Sequence, residues 1–131
     1  MSSLRHFAIV AGGALLVLLG LFHDILGLPA LRTAIARGEL AQRLGPAQLV
    51  NWAFSGAAMS LLGVFVLLAA RELRSGGRLA RRIITLTGVF FVLVGLAAYT
   101  MEPRTPVLVF SLVGLMLCLP LIPRWHGTAS E

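Results

Sequence analysis

Four apolar runs, at about residues 7–28, 49–70, 83–101 and 106–122, take up most of the chain and restrict what it can fold into. At about 1.5 Å of helix per residue, each crosses or nearly crosses an apolar layer about 30 Å thick. The expected fold is all-α, a polytopic membrane protein whose residues 1–131 form a single four-transmembrane-helix bundle. Hydrophobic residues make up 58% of the chain and mean hydropathy is +0.92, against an apolar share of about 45–50% in soluble domains. A water-soluble fold of 131 residues has too little interior to hide such a chain.

The net charge of +6 and isoelectric point near 11.6 do not point to nucleic acid. The basic residues flank apolar runs and build no aromatic-interleaved patch. All eleven are Arg, a usage that suggests a GC-rich bacterial genome. Arg5, Arg71, Arg74, Arg78, Arg81, Arg82 and Arg124 fall on the side of the N-terminus, and Arg32, Arg37, Arg43 and Arg104 on the other. By the positive-inside rule the richer side is cytoplasmic, so both termini are expected inside a bacterial inner membrane. The first run is read as a retained span, since it is too long for a typical signal-peptide apolar region. Cys118 is the sole cysteine, which excludes an intramolecular disulfide and a disulfide-generating four-helix enzyme.

Glycines indicate which faces meet. Gly13, Gly20 and Gly27 in the first run, Gly56 and Gly63 in the second, and Gly88 and Gly95 in the third recur every seven residues. That period keeps a small-residue seam on one face, where backbones can approach closely. The fourth run has only Ser111 and Gly114, so it is expected to face lipid or a partner, with Val113→Leu nearly silent and Pro120 shortening the helix. Between the first two spans, Leu31, Ala34, Ile35, Leu40, Ala41 and Leu44 alternate with charged and polar residues at helical spacing, with a break at Gly38. One broken or two short amphipathic helices are expected there, lying at the outer surface.

Polar residues within the spans gather at one end: His23 and Asp24 in the first, Asn51 and Trp52 in the second, Tyr99, Thr100 and Glu102 in the third. Several lie three or four positions from a seam glycine and so share its face. The spacing predicts an inward-facing polar vestibule at the outer end, with His23, Asp24 and Glu102 as candidate acid/base groups and Asn51, Trp52, Tyr99 and Thr100 as ligand contacts. Neither metal nor cofactor is expected. His6 and His126 lie at the inner face and His23 at the outer, so bis-His haem ligation within one chain is excluded.

The segments FHDILGLPALRTAIARGEL (residues 22–40) and NWAFSGAAMSLLGVF (residues 51–65) resemble uncharacterised bacterial four-helix membrane proteins. These share a His near the end of the first span and a Trp with a small-residue motif in the second. The layout is loosely similar to DoxX-like small membrane subunits. It is more faintly similar to sterol-isomerase-like four-helix proteins, which use His and acidic residues in a membrane cavity; here the spacing differs and the fourth span has no acidic residue.

Three functional classes remain. The first is a non-catalytic accessory or structural subunit of a membrane assembly, or a homo-oligomer, embedded among membrane lipids. The second is a binding protein or acid/base enzyme for an apolar lipid, isoprenoid or quinone. The third is a small proton-coupled transporter, for which Asp24 sits close to the rim.

Overall fold

The structure is a computed structural model that describes residues 3–39, 45–101, 103 and 105–122. Four α-helices follow one another: α1 (Ser3–Ala36), α2 (Gly45–Leu73), α3 (Arg78–Met101) and α4 (Val109–Cys118). Short 3-10 turns flank α4 at Thr105–Leu108 and Leu119–Leu121. No strand occurs among the described residues. α1, α2 and α3 are long and apolar enough to cross a membrane; α4 is shorter.

The helices pack as a ring in chain order, up-down-up-down, which returns both ends of the described chain to the same end of the bundle. The α1/α2 and α3/α4 pairs are the extensive interfaces, and α2/α3 and α1/α4 are thinner. The molecule is thus two antiparallel helical hairpins laid side by side.

Small residues explain the tight pairs. A Cβ on Gly63 would lie 2.7 Å from both the Gly13 carbonyl oxygen and the Val17 amide nitrogen. One on Gly20 would strike the Gly56 carbonyl and lie 2.7 Å from the Ser60 amide nitrogen. The backbones of α1 and α2 touch along this seam, and the Ser60 hydroxyl donates across it to the Val17 carbonyl at 3.3 Å.

The fourth helix has a seam as well, contrary to the sequence expectation. A Cβ on Gly114 would lie 2.5 Å from the Gly88 carbonyl oxygen and 2.6 Å from the Val92 amide nitrogen. Gly95 packs on Ser111, whose hydroxyl donates to the Val92 carbonyl at 3.1 Å. Val113, 1% exposed, and Leu117, fully buried, lie in the core with Phe91 and Ile84, so Val113→Leu is not a lipid-face change. Two small residues three apart suffice here because α4, of 10 residues, is short and has fewer than three turns to seat against α3.

The second hairpin repeats the first. G-x-x-x-V-L-x-G-L occurs at residues 13–21 and 88–96, and S-L-x-G at 60–63 and 111–114. Each buried residue of α1, namely Ile9, Gly12, Gly13, Leu16 and Gly20, has a buried counterpart 75 positions later: Ile84, Thr87, Gly88, Phe91 and Gly95. Gly63 and Val66 of α2 match Gly114 and Leu117 of α4, 51 positions on.

Residues 29–36, expected as part of a separate amphipathic segment, continue α1. Pro29 removes one backbone donor and costs a helix interior about 3 kcal/mol. Packing offsets this, because Ile35 lies against Gly45 and so joins the end of α1 to the start of α2. The amphipathic pattern holds on this extension: Leu31, Ala34 and Ile35 are half-buried, whereas Arg32 and Thr33 are exposed. Gly38, at φ 72°, then ends the helix, with Glu39 N–H donating to Ala34 O and Gly38 N–H to Ile35 O. This is the left-handed glycine cap that L side chains resist. Gly76, at φ 84°, closes α2 in the same way. Leu40, Ala41 and Leu44 lie outside the described residues.

Candidate functional site

At the end of the bundle far from the termini, the α1/α2 seam carries polar side chains. Gly27 leaves room for the indole of Trp52, since a Cβ there would collide with the ring. The indole N–H donates to the His23 carbonyl at 2.9 Å, and the Trp52 and His23 rings stack with centroids 4.3 Å apart and planes 8° from parallel. Trp52 therefore fixes both the backbone and the ring of His23. The Nε2 atom of His23 is buried and has no hydrogen-bond partner.

Asp24, on the next position of α1, turns the other way. Its carboxylate is seated against the α-carbon of Gly56, where any Cβ would clash with Oδ1. Oδ1 is buried without a hydrogen-bond partner, and among the described residues no hydrogen bond or ion pair joins Asp24 to His23. An unmet buried acceptor costs about 1–3 kcal/mol.

His23 faces a cleft of about 400 Å³ between α2 and α3, floored by α4. Its walls are mostly apolar, with Phe54, Met59, Phe91 and Phe110 prominent and Asn51 beside His23 at the polar end. Phe91, 2% exposed, anchors the α3 wall; its ring lies edge-on to Phe90 with centroids 5.3 Å apart and 6.3 Å from Phe110. The cleft exists because α2 and α3 belong to different hairpins and no small-residue seam draws them together. A shallower groove of about 530 Å³ along α2 adjoins it through Asn51 and Phe54. That groove is lined by one helix alone and encloses nothing.

The seven residues singled out in the sequence thus separate. His23, Asp24 and Trp52 meet at the α1/α2 seam, and Asn51, itself exposed, joins His23 at the cleft. Tyr99 is 41% exposed and lines neither the cleft nor the seam. Thr100 is exposed, with its hydroxyl donating to Ala97 O of its own helix at 2.7 Å. At this height α3 faces a short 3-10 turn rather than a helix, and the described residues leave the face that carries Tyr99 partly exposed. Glu102 lies outside the described residues.

Sequence reasoning missed the aromatic walls Phe54, Phe90, Phe91 and Phe110. A count of phenylalanines at matched depth on the second, third and fourth spans would have found them. Among the described residues no three of His, Cys, Asp and Glu converge as a metal site would need. Compared with protein-family models, curated proteins and solved structures, the chain matches none.

Proposed function

We propose that the protein is a small, non-catalytic integral membrane protein of the bacterial inner membrane, with both termini cytoplasmic. In this reading it holds an apolar molecule with a polar head, of the lipid, isoprenoid or quinone class, in the cleft between α2 and α3. Membrane embedding is supported by the outward faces of the helices: Leu18, Leu61, Leu68, Leu86, Leu93 and Leu112 are each exposed by about half or more at mid-helix. Such surface is stable in lipid and not in water. The orientation rests on the arginine asymmetry.

The observation that carries the ligand reading is His23, whose ring lines the polar end of an otherwise apolar cleft and whose Nε2 has no protein partner. A cleft of this size suits a ring or short prenyl segment, and His23 and Asn51 offer hydrogen bonds to a carbonyl or hydroxyl. Binding is favoured over acid/base catalysis because Asp24 does not line the cleft and does not partner His23.

Mass spectrometry of gently solubilised protein tests this directly. An apolar molecule retained by the natural protein and lost from His23→Leu supports the reading. Retention unchanged by His23→Leu overturns it, and a co-purified membrane subunit in place of a ligand would favour an accessory role. For orientation, cysteines at Ser2 and Ser130 in a Cys118→Ser background should resist an impermeant reagent in intact cells, whereas one at Gly38 should react.

A further inference from the structure

The opposite end of the bundle carries a second cleft, of about 420 Å³, on which three separate elements converge. Arg5 comes from the first turns of α1, Arg74 from the residue after α2, and Arg81 from the first turn of α3. Leu73, Leu121 and Ile122 form its apolar wall. Arg78 and Arg82 line a neighbouring cleft of about 380 Å³ that shares Gly76 and Arg81 with the first. Gly76 lets the chain turn between them, at φ 84°.

Among the described residues these charges have no counter-ion, and they sit where a helix disfavours them. Among the described residues the only ion pair is Arg37–Glu39 at the far end, so Glu72, close by in sequence, pairs with none of them. Arg78 and Arg81 also stand in the first turn of α3, with Arg82 just after it, and that turn holds no acidic residue. There the helix dipole disfavours cations. A topology signal needs arginines on this side of the membrane, but not arginines from three elements facing one cleft.

From this geometry we infer that the Arg5–Arg74–Arg81 cleft binds the phosphodiester headgroup of an anionic membrane lipid. This inference rests on the membrane-spanning reading above and not on the His23 cleft. Guanidinium forks match phosphate oxygens in pairs. The headgroup would lie among the three arginines and its anionic charge would relieve the first turn of α3. Acyl chains would descend along Ile122, which lines the cleft, and along Leu4, Phe7 and Leu119, close in sequence to the lining residues Arg5 and Pro120; all four are more than half exposed. A free phosphate would use the arginines and leave that apolar wall unused.

The test is native mass spectrometry of the full chain in an uncharged detergent, titrated with phosphatidylglycerol, phosphatidylcholine or glycerol 3-phosphate. Phosphatidylglycerol should bind with preference over phosphatidylcholine. Arg5→Gln with Arg81→Gln should weaken it about thirtyfold, the loss expected when two guanidiniums near an anionic lipid are neutralised. Arg32→Gln at the far end should leave binding unchanged. Circular dichroism of the double variant checks that its helices persist, and Arg81→Lys, which keeps the charge and loses the fork, should give an intermediate loss.

Equal binding of both lipids, or an equal loss with Arg32→Gln, overturns the site. Equal binding of glycerol 3-phosphate overturns the lipid as its source. Carbonate extraction separates the two readings: protein released into the soluble fraction overturns membrane embedding and this site together. Protein that stays in the membrane without a phosphatidylglycerol preference overturns the site alone.

Discussion

The α1/α2 and α3/α4 hairpins are built on the same seam and carry different chemistry. Gly13, Val17 and Gly20 meet Ser60 and Gly63 in the first, as Gly88, Val92 and Gly95 meet Ser111 and Gly114 in the second, with the same serine-to-valine-carbonyl bond in both. Above the seam they diverge. Where the first hairpin has His23, Asp24 and Trp52, the matching positions of the second hold Ala98, Tyr99 and Pro103. The second hairpin shows that this packing forms without a histidine, a carboxylate at the seam or an indole. Those groups in the first hairpin are therefore additions to the fold, which is the physical ground for reading them as functional.

If the hairpins are equivalent in packing, equivalent substitutions should cost alike. Gly63→Leu and Gly114→Leu both drive a side chain into a facing backbone that cannot yield, and each should cost about 3 kcal/mol in reversible unfolding in mixed micelles. Tolerance of one and not the other would break the equivalence. The core truncations are equal or next in size. Leu117→Ala should cost about 3 kcal/mol and its counterpart Val66→Ala about 2 kcal/mol, in proportion to the methyl groups removed from fully buried sites.

Much of the packing was legible in the sequence because close helix approach leaves glycine at a fixed period, and Gly13, Gly20, Gly56, Gly63, Gly88 and Gly95 show it. The α4 half of the second seam was not legible from period alone, since one glycine has none. It becomes so only when residues 111–114 are matched to 60–63. Periodicity put Tyr99 on the inward face, but it carries no information on whether a partner helix reaches that height. The continuation of α1 past Pro29 depends on Ile35 meeting Gly45, a tertiary contact that local pattern does not encode. The approach of His23 to Trp52 follows from spacing. The cleft between α2 and α3 does not, because it arises from a missing seam.

A smaller effect should come from Trp52→Phe, which keeps an aromatic ring over Gly27 and removes the N–H that reaches the His23 carbonyl. One such bond contributes about 1 kcal/mol, so the expected loss of stability is about that much. Retention of the apolar ligand should fall by more than this stability change accounts for, because His23 is left free to turn away from the cleft. Loss of stability with full retention would mean that Trp52 only braces the hairpin.

The smallest effect on stability should be that of Asp24→Asn. The amide has nearly the volume of the carboxyl and fits the same seat against Gly56, while a buried carboxylate oxygen that lacks a partner is exchanged for a neutral group. The amide keeps a neutral acceptor and removes only the charge, so stability should be unchanged or rise by up to about 1 kcal/mol. Tyr99→Phe, at the matching position of the second hairpin, should be silent, since Tyr99 lines neither seam nor cleft. A drop of more than about 1 kcal/mol for Asp24→Asn would mean that the carboxylate holds the hairpin together through a partner. The difference between the two hairpins would then be structural at this position, with His23 alone left as the functional addition.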